Sequence, residues 1–362
     1  MSSVTPLEAN DGPQPRLVIS ADGDYICAFA YLPDGRVVTD SEDRTVRVWN
    51  LEDGKQEGSS MQHRNTVFHL AVTRDGEKII SSSREGNVKV WDVESHQLVK
   101  EWTHPEEGPR IAVSPDNRLL AVGLRVMFIY TMEGGWQVNQ SIKVDRAISC
   151  MSFSPDSGKL VCATLNDICV YDISDGTLVF SRDHKDRVSS LLWSHDGSRL
   201  FSGSWKTIRC WISDTGEPIG QPRTSHTSYI TSLSISPDGA ILASASFDQT
   251  VRFWNATTGD PVGQPLRHEY HVSAVSFSPC GQFVASARWD GKIFVWRVPW
   301  LDTVEIRVTI LIICPAALVL TTLVRTPGYP QPPAFHSNSP HNTTSISTPL
   351  PVRPRPRTST TS

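Results

Sequence analysis

Two stretches of the chain contain a histidine, a serine, an aspartate and a tryptophan in the same order and at the same spacing. These residues are His226, Ser244, Asp248 and Trp254, followed by His268, Ser286, Asp290 and Trp296. A histidine, a hydroxyl and a carboxylate are the groups that hydrolases combine to activate a serine nucleophile. Each member nevertheless recurs 42 residues further along the chain. A set repeated at a fixed interval indicates a repeated structural unit, so a structural role is favoured over catalysis.

Other short patterns that resemble catalytic or metal motifs fail on spacing. His268 and His271 enclose an H-E-x-H sequence, but two histidines must stand four residues apart on a helix to share a zinc ion. The segment from Gly203 to Thr207 ends like a phosphate-binding loop, yet its first glycine is misplaced and no helix pattern follows. We therefore expect no catalytic residue, no metal and no cofactor, and predict that the protein is not an enzyme.

The charge balance and the cysteine pattern limit the function classes further. Over 362 residues the formal net charge is −4, which gives no general attraction to nucleic acid or anionic lipid. The seven cysteines are scattered and never form a C-x-x-C pair, which argues against a disulfide framework and a zinc site. Residues 1–14 lack the apolar core of a secretory signal. We expect a cytoplasmic or nuclear protein that does not bind nucleic acid.

A longer repeat underlies these local patterns. Seven aromatic residues close seven similar short apolar segments, with successive separations of 42, 39, 41, 40, 43 and 42 residues. They are Trp49, Trp91, Tyr130, Tyr171, Trp211, Trp254 and Trp296. A period of about 40–45 residues is that of a four-stranded propeller blade. The spacing therefore predicts seven blades.

Within each unit the pattern is that of short strands. In the last unit, Val272–Phe277, Phe283–Ala287 and Ile293–Trp296 are largely apolar segments separated by turn residues. A fourth, less regular strand follows each closing aromatic. The sequence thus predicts an all-β fold over residues 16–300: a seven-bladed β-propeller of four-stranded antiparallel blades.

The units resemble WD repeats. Trp91-Asp92 is the dipeptide that gives the family its name, and Tyr171-Asp172 is a variant of it. The family's loop histidine stands 11 residues before the position of the turn proline. Five histidines lie at that offset: His63, His104, His184, His226 and His268. The resemblance covers residues 16–300.

The resemblance implies a buried hydrogen-bond network that links the loop histidine, a strand serine or threonine, a turn aspartate and the tryptophan. Blades six and seven contain all four residue types. Blade two has Glu85 in place of the aspartate, and blade one has Asp43 and Trp49 but no histidine. Blades three, four and five lack the aspartate at this offset, so we expect them to be weaker or slightly irregular. Loss of a buried charged member should cost about 2–4 kcal/mol because its partners are left unpaired.

Two segments compete to close the ring. Propellers of this family usually lend an N-terminal strand to the last blade, and Arg16–Ser20 is a short apolar segment ahead of blade one. Thr303–Ile310, which alternates apolar and polar residues directly after the last blade, is the rival. The N-terminal segment is favoured.

The two ends of the chain differ from the repeat region. Residues 1–15 are predicted to be flexible, and residues 326–362 form a Pro/Ser/Thr-rich tail that we expect to be disordered. Between the repeats and the tail, residues 301–325 contain an uncharged 17-residue stretch, 308–324. It is at the short limit for a membrane-spanning helix. A membrane anchor, an apolar extension packed on the ring and a segment without function all remain open.

Specificity in such a ring should come from loops on its faces. The family resemblance places the residue before the turn aspartate, and the loop residue three after the histidine, on the upper face around the central channel. Exposed aromatic and arginine side chains dominate binding hot spots. We predict a peptide docked over the rim of blades five to seven. The candidate partner-binding residues are Arg84, Arg187, Trp205, Tyr229, Phe247 and Trp289.

The predicted function is therefore a non-enzymatic scaffold or adaptor that binds other proteins or peptide segments, as a monomeric ring within larger complexes. The alternative is a membrane-tethered propeller anchored through residues 308–324. An enzyme framed on the propeller is the least supported, since no acid, base or metal cluster stands outside the repeat. The fold alone does not choose among these functions.

Overall fold

The structure is a computed structural model that describes residues 13–21, 25–298 and 300. These residues form 28 β-strands. Most of the predicted flexible N-terminus, 1–15, lies outside the described residues. The apolar segment 301–325, its stretch 308–324, the rival closing strand 303–310 and the predicted tail 326–362 lie wholly outside them.

The 28 strands form seven four-stranded antiparallel sheets, the blades. The first strand is β1 (Leu17–Ser20). Blade one comprises β2 (Ile26–Tyr31), β3 (Val37–Ser41), β4 (Thr45–Trp49) and β5 (Gln56–Gln62). Blade two comprises β6 (Val67–Val72), β7 (Lys78–Ser83), β8 (Asn87–Asp92) and β9 (Leu98–Thr103). Blade three comprises β10 (Arg110–Val113), β11 (Leu119–Gly123), β12 (Val126–Thr131) and β13 (Gln137–Lys143). Blade four comprises β14 (Cys150–Phe153), β15 (Lys159–Ala163), β16 (Asp167–Asp172) and β17 (Leu178–Asp183).

The remaining strands complete the ring. Blade five comprises β18 (Val188–Trp193), β19 (Arg199–Ser204), β20 (Thr207–Ile212) and β21 (Pro218–Arg223). Blade six comprises β22 (Ile230–Ile235), β23 (Ile241–Ser246), β24 (Thr250–Asn255) and β25 (Pro261–Arg267). Blade seven comprises β26 (Val272–Phe277), β27 (Phe283–Arg288) and β28 (Lys292–Arg297), with β1 as its outer strand. The first strand of every blade contacts the first strands of both neighbouring blades, which places these seven strands around the channel. The predicted seven-bladed antiparallel propeller is confirmed.

The ring closes through the N-terminal strand. β1 pairs antiparallel with β28, with Leu17 opposite Val295 and Ser20 opposite Lys292. Ile19 on β1 is buried in a cluster with Val295. The prediction that the N-terminal segment completes blade seven is confirmed.

Blades three and four are complete four-stranded sheets. They differ from the rest in their inner strands, because β10 and β14 have four residues where the other inner strands have six. Blade five, predicted to be irregular with them, has a six-residue inner strand. The expected irregularity is thus limited to two shortened inner strands.

The core lies between the blades. Each closing aromatic packs against the preceding blade: Trp91 joins Val46 and Val48 of blade one, and Trp254 joins Phe201 of blade five. Trp49 of blade one joins the cluster of blade seven. The apolar contacts therefore continue around the whole circle, and the loops at the rim are carried on a rigid support.

Candidate functional site

The blade-six network forms as predicted. Asp248 accepts a hydrogen bond from His226 Nδ1 at 2.7 Å, and His226 Nε2 lies 2.7 Å from Ser244 Oγ. The Trp254 indole donates to the same serine oxygen at 2.9 Å. Burial opposes ionisation of Asp248, but hydrogen bonds from His226 and Thr250 hold the pKa of its carboxyl well below the usual value. The side chain of His226 and the whole of Ser244 are completely buried, so a substrate could not reach this serine without opening the blade.

Blade seven corrects the prediction for Asp290. His268 Nε2 lies 3.2 Å from Ser286 Oγ, which accepts from the Trp296 indole at 2.9 Å. Asp290 instead binds the guanidinium of Arg288 through both carboxylate oxygens, and His268 Nδ1 is buried without a partner among the described residues. The cause is Arg288, two positions before Asp290, because its permanently charged guanidinium group competes for the carboxylate better than a neutral imidazole does.

Two further blades contain the shorter network. His63 Nε2 lies 2.7 Å from Ser81 Oγ in blade two, and His184 Nε2 lies 2.8 Å from Ser202 Oγ in blade five. Burial lowers the pKa of His63 to about 3 and that of His184 to about 4. Glu85 accepts from Asn65 at 2.7 Å and takes no part in the network. Outside blade six, these imidazoles are therefore held neutral by desolvation.

The two histidines of the H-E-x-H sequence serve different contacts. His268 belongs to the blade-seven network, whereas His271 lies at the rim, 2.5 Å through Nδ1 from the Phe247 carbonyl oxygen. Within the described ranges, no group of three or more His, Cys, Asp or Glu side chains is arranged to hold a metal ion.

The upper face surrounds a funnel of about 1130 Å³. Five of the six predicted partner-binding residues line it: Arg187, Trp205, Tyr229, Phe247 and Trp289. The sixth, Arg84, is exposed on the turn after β7 but is not among the residues lining this funnel. Two kinds of position supply these residues. Trp205, Phe247 and Trp289 lie on turns between the second and third strands of their blades, whereas Arg187 and Tyr229 directly precede an inner strand.

Five aromatic rings form a continuous arc in this funnel, hereafter the aromatic arc. Ring centroids are 4.5 Å apart between Trp205 and Tyr229, 6.2 Å between Tyr229 and Phe247, 4.7 Å between Phe247 and Trp289, and 4.8 Å between Trp289 and Tyr25. Trp205, Tyr229 and Trp289 are 46%, 42% and 39% exposed. Phe247 is half-buried between its neighbours. The arc crosses blades five, six, seven and one.

Among the funnel-lining residues that sequence reasoning missed, Tyr25 and Arg110 bear most directly on binding. Tyr25 directly precedes the inner strand of blade one, as Tyr229 precedes that of blade six. Because blade one has no loop histidine to count from, the position was not recognised. Arg110 is the first residue of β10, where five of the other inner strands begin with isoleucine or valine. A cation at an otherwise aliphatic position was the available signal.

Comparison with known proteins identifies the family. Five segments match the family model of the WD domain, G-beta repeat, at residues 13–50, 54–92, 175–211, 217–255 and 259–297. Together they cover more than half of the chain. The chain belongs to the WD-repeat family. Blade three and the first three strands of blade four, which include both shortened inner strands, fall between the matched segments.

Relatives of this WD-repeat chain are longer proteins. It is 25% identical to Periodic tryptophan protein 2 of Arabidopsis thaliana over 240 residues, which are 64% of this chain and 22% of that protein. It is 36% identical to an intraflagellar transport protein 122 homolog of Danio rerio over 112 residues, 30% of this chain and 9% of that protein. Similarity to telomerase protein component 1 of Rattus norvegicus is 24% over 229 residues, 62% and 9% of the two chains. The chain matches less than a quarter of each relative.

A solved structure shares the fold. A chain from the crystal structure of the mitotic checkpoint complex superposes with a TM-score of 0.71 at 19% identity, over 82% of the WD-repeat chain and 96% of that chain. WD-repeat propellers typically mediate protein interactions and are generally non-enzymatic scaffolds.

Among the residues that the structure describes, no helix has the length and apolar character needed to cross a membrane.

Proposed function

We propose that this WD-repeat protein is a non-enzymatic scaffold whose upper funnel binds a peptide segment of another protein. The observation that carries the proposal is the aromatic arc. Three large aromatic side chains, Trp205, Tyr229 and Trp289, are each more than one-third exposed in one concave opening. Aromatic side chains in a concave, partly desolvated surface supply most of the binding free energy in protein interfaces.

The arrangement also suits a peptide better than a flat partner. A concave opening of this size accommodates a few side chains of an extended segment, whose backbone polar groups remain accessible to water. Indole and phenol rings present apolar faces at little cost in side-chain entropy when neighbouring rings already restrict them. Arg187 at the same opening adds a charged contact.

Binding by the arc is tested with a displayed library of random octapeptides selected on the full-length protein. The affinity of selected peptides is then measured by fluorescence anisotropy for wild type and for a Phe247→Ala/Trp289→Ala double variant. We expect at least about a thirtyfold loss of affinity, because a single aromatic hot-spot residue already contributes about 2 kcal/mol or more. The melting temperature should stay nearly unchanged.

The matched control is Leu178→Ala. Leu178 is an apolar side chain, 52% exposed, on the outer strand of blade four, and its removal should leave peptide affinity unchanged. If the double variant lost melting temperature as well as affinity, the aromatic arc would instead serve mainly to pack neighbouring blades together. Selection of no peptide that depends on these aromatics would also contradict the proposal.

The cysteines bear on the compartment in which the proposed scaffold works. The six described cysteines are free thiols, as a reducing compartment favours, so we infer a cytoplasmic or nuclear protein. The structurally similar chain comes from a checkpoint complex, which fits a ring that works within an assembly of several proteins.

A further inference from the structure

Three cationic side chains line the upper funnel together with the aromatic arc. Lys185 and Arg187 lie on the loop between β17 and β18, and Arg110 begins β10. In the part of the chain that the structure describes, none of the three forms an ion pair. Arg36, by contrast, is partly buried and pairs with Asp34, Glu57 and Glu94. The three cations of the funnel have no such carboxylate partners among the described residues.

Arg110 is held in place by neutral groups. Its Nε donates to the Ser149 carbonyl oxygen at 2.7 Å, and its Nη1 donates to the Gly108 carbonyl oxygen at 3.4 Å and to His69 Nε2. A guanidinium has no acceptor, so His69 Nε2 carries no proton. Burial, together with the charge of Arg110, keeps the pKa of His69 well below its usual value. The guanidinium is therefore oriented but not neutralised, and Nη2 has no acceptor among the described residues.

Arg187 lines the same funnel and adds a second positive charge to that of the oriented Arg110 guanidinium. Burial in the funnel wall lowers the pKa of Arg110, and the positive charge of Arg187 lowers it further. Two positive charges on one concave wall repel each other, and an anion bound between them offsets that repulsion. Glu42 and Asp186 also line the funnel, but neither pairs with these arginines. The wall therefore offers two guanidinium groups to an external anion.

We propose that the Arg110–Arg187 wall binds an anionic oxygen group, carboxylate or phosphoryl, on the peptide while the aromatic arc holds an apolar side chain of that peptide. The inference rests on the proposed function and specifies its ligand: a segment that combines an acidic residue with an aromatic or aliphatic one. Guanidinium groups bind both anions through paired hydrogen bonds.

The test uses the full-length protein and acetylated, amidated peptides in which zero to three glycines separate a glutamate from a tryptophan. Matched sets carry phosphoserine or glutamine in place of glutamate. For wild type, the best glutamate or phosphoserine peptide should bind about tenfold tighter than its glutamine counterpart, as expected for a charge-assisted hydrogen bond. The preference between the two anionic peptides distinguishes the carboxylate from the phosphoryl group.

Arg187→Gln is the first variant because its side chain is exposed and its replacement should not unfold the protein. It should abolish the preference for the anion while the glutamine peptide keeps its affinity. Arg110→Lys, which keeps the charge but not the fork, should reduce the preference partly. Arg84→Gln, an exposed arginine outside the funnel lining, is the matched control and should change nothing.

A second measurement separates this inference from the proposed function. Sodium acetate and sodium phosphate are titrated at constant ionic strength while the Nε resonances of Arg110 and Arg187 are followed by NMR. Saturable shifts without any peptide binding would support the anion wall and overturn the peptide function. Equal affinity of glutamate, phosphoserine and glutamine peptides would overturn the anion wall and leave the aromatic arc as the binding site. Absence of both responses overturns both proposals.

Discussion

Blades six and seven carry the same four residue types at the same spacing, yet their networks differ. In blade six, Asp248 binds His226, whereas in blade seven the equivalent Asp290 binds Arg288. The residue at the position of Arg288 in blade six is Ser246, whose hydroxyl accepts a hydrogen bond from the Asp248 backbone N–H. A small hydroxyl supports the turn and leaves the carboxylate to the histidine, while a guanidinium takes the carboxylate for itself.

The two blades also differ in how their chain is assembled. Blade six is built from one continuous segment, whereas blade seven takes its outer strand from the N-terminus. Arg288 is only 3% exposed and lies over the rings of Phe294 and Tyr270. Blade seven therefore replaces the histidine–aspartate bond with a buried, stacked ion pair and depends on a distant strand. The same four residue types at the same spacing thus stabilise the two blades through different contacts.

The largest expected effect comes from removing the borrowed strand. Deletion of residues 1–20 removes β1 and exposes the apolar surface that Ile19 covers. We expect the free energy of unfolding to fall by about 5 kcal/mol from lost burial and four paired residues. Urea unfolding followed by tryptophan fluorescence measures it, with deletion of residues 1–12 as the control. An unchanged urea midpoint in the longer deletion would refute closure by β1.

Removal of the turn carboxylate should affect blade six more than blade seven. Asp248→Ala leaves the buried His226 and the Thr227 backbone N–H, which donates to Asp248 at 3.0 Å, without their acceptor. We expect a loss of about 3 kcal/mol. Asp290→Ala should cost about half as much, since the Asp290 side chain is 23% exposed against 4% for Asp248, and Glu269 remains 3.7 Å from Arg288. Equal losses in thermal unfolding would contradict this difference.

The histidines without a carboxylate partner predict an acid-sensitive ring. Burial lowers the pKa of His268 and of His63 to about 3 and that of His184 to about 4. Below about pH 6.5 these histidines become protonated in the unfolded chain but stay neutral in the folded ring. The free energy of unfolding therefore falls as the pH drops toward 4. Each histidine should contribute a slope of about 1.4 kcal/mol per pH unit in this window. His184→Gln should remove one histidine's share of the slope, and an unaltered slope would contradict the assignment.

The smallest effect should follow from giving blade seven the blade-six residue. Arg288→Ser removes the competing guanidinium and frees Asp290 to approach His268. The pKa of His268 should then rise above its present value of about 3, because the Arg288 charge that lowers it is gone and an adjacent carboxylate favours the imidazolium. The net cost in stability should be about 1 kcal/mol from the lost stacking and ion pair. NMR titration of the His268 ring proton in Arg288→Ser and in Arg288→Ser/Asp290→Asn decides, since equal pKa values in the two variants would show that the turn geometry keeps Asp290 and His268 apart.

The repeat pattern predicted the fold because every blade obeys one set of packing demands. The spacing of residues such as Trp91 and Trp254 reflects the length of four strands, and Arg16–Ser20 was recognisable as a closing strand by its apolar character and place. Contacts inside one repeat were partly predictable, as His226 and Asp248 show. Asp290 was not, since its partner depends on a competition between two nearby side chains that spacing does not encode.

Contacts across repeats were harder to predict. Trp205, Tyr229 and Trp289 were found because the family places their positions on one face. Their ring-to-ring order, and the half-buried state of Phe247, depend on how neighbouring blades are rotated about the channel. Arg110 lies in blade three and Arg187 in the loop between blades four and five. Nothing in their sequence separation indicates that the fold brings both to the wall of one funnel.

The pairing of β1 with β28 also sets an order of events during protein synthesis. Leu17 leaves the ribosome 278 residues before its partner Val295. At elongation rates of about 5–20 residues per second, this interval lasts roughly 15 to 55 s. Throughout it, the first strand has no native neighbour, while the earlier blades are free to form in turn. The ring is therefore completed only after the last blade emerges, and β1 stays unpaired throughout that interval.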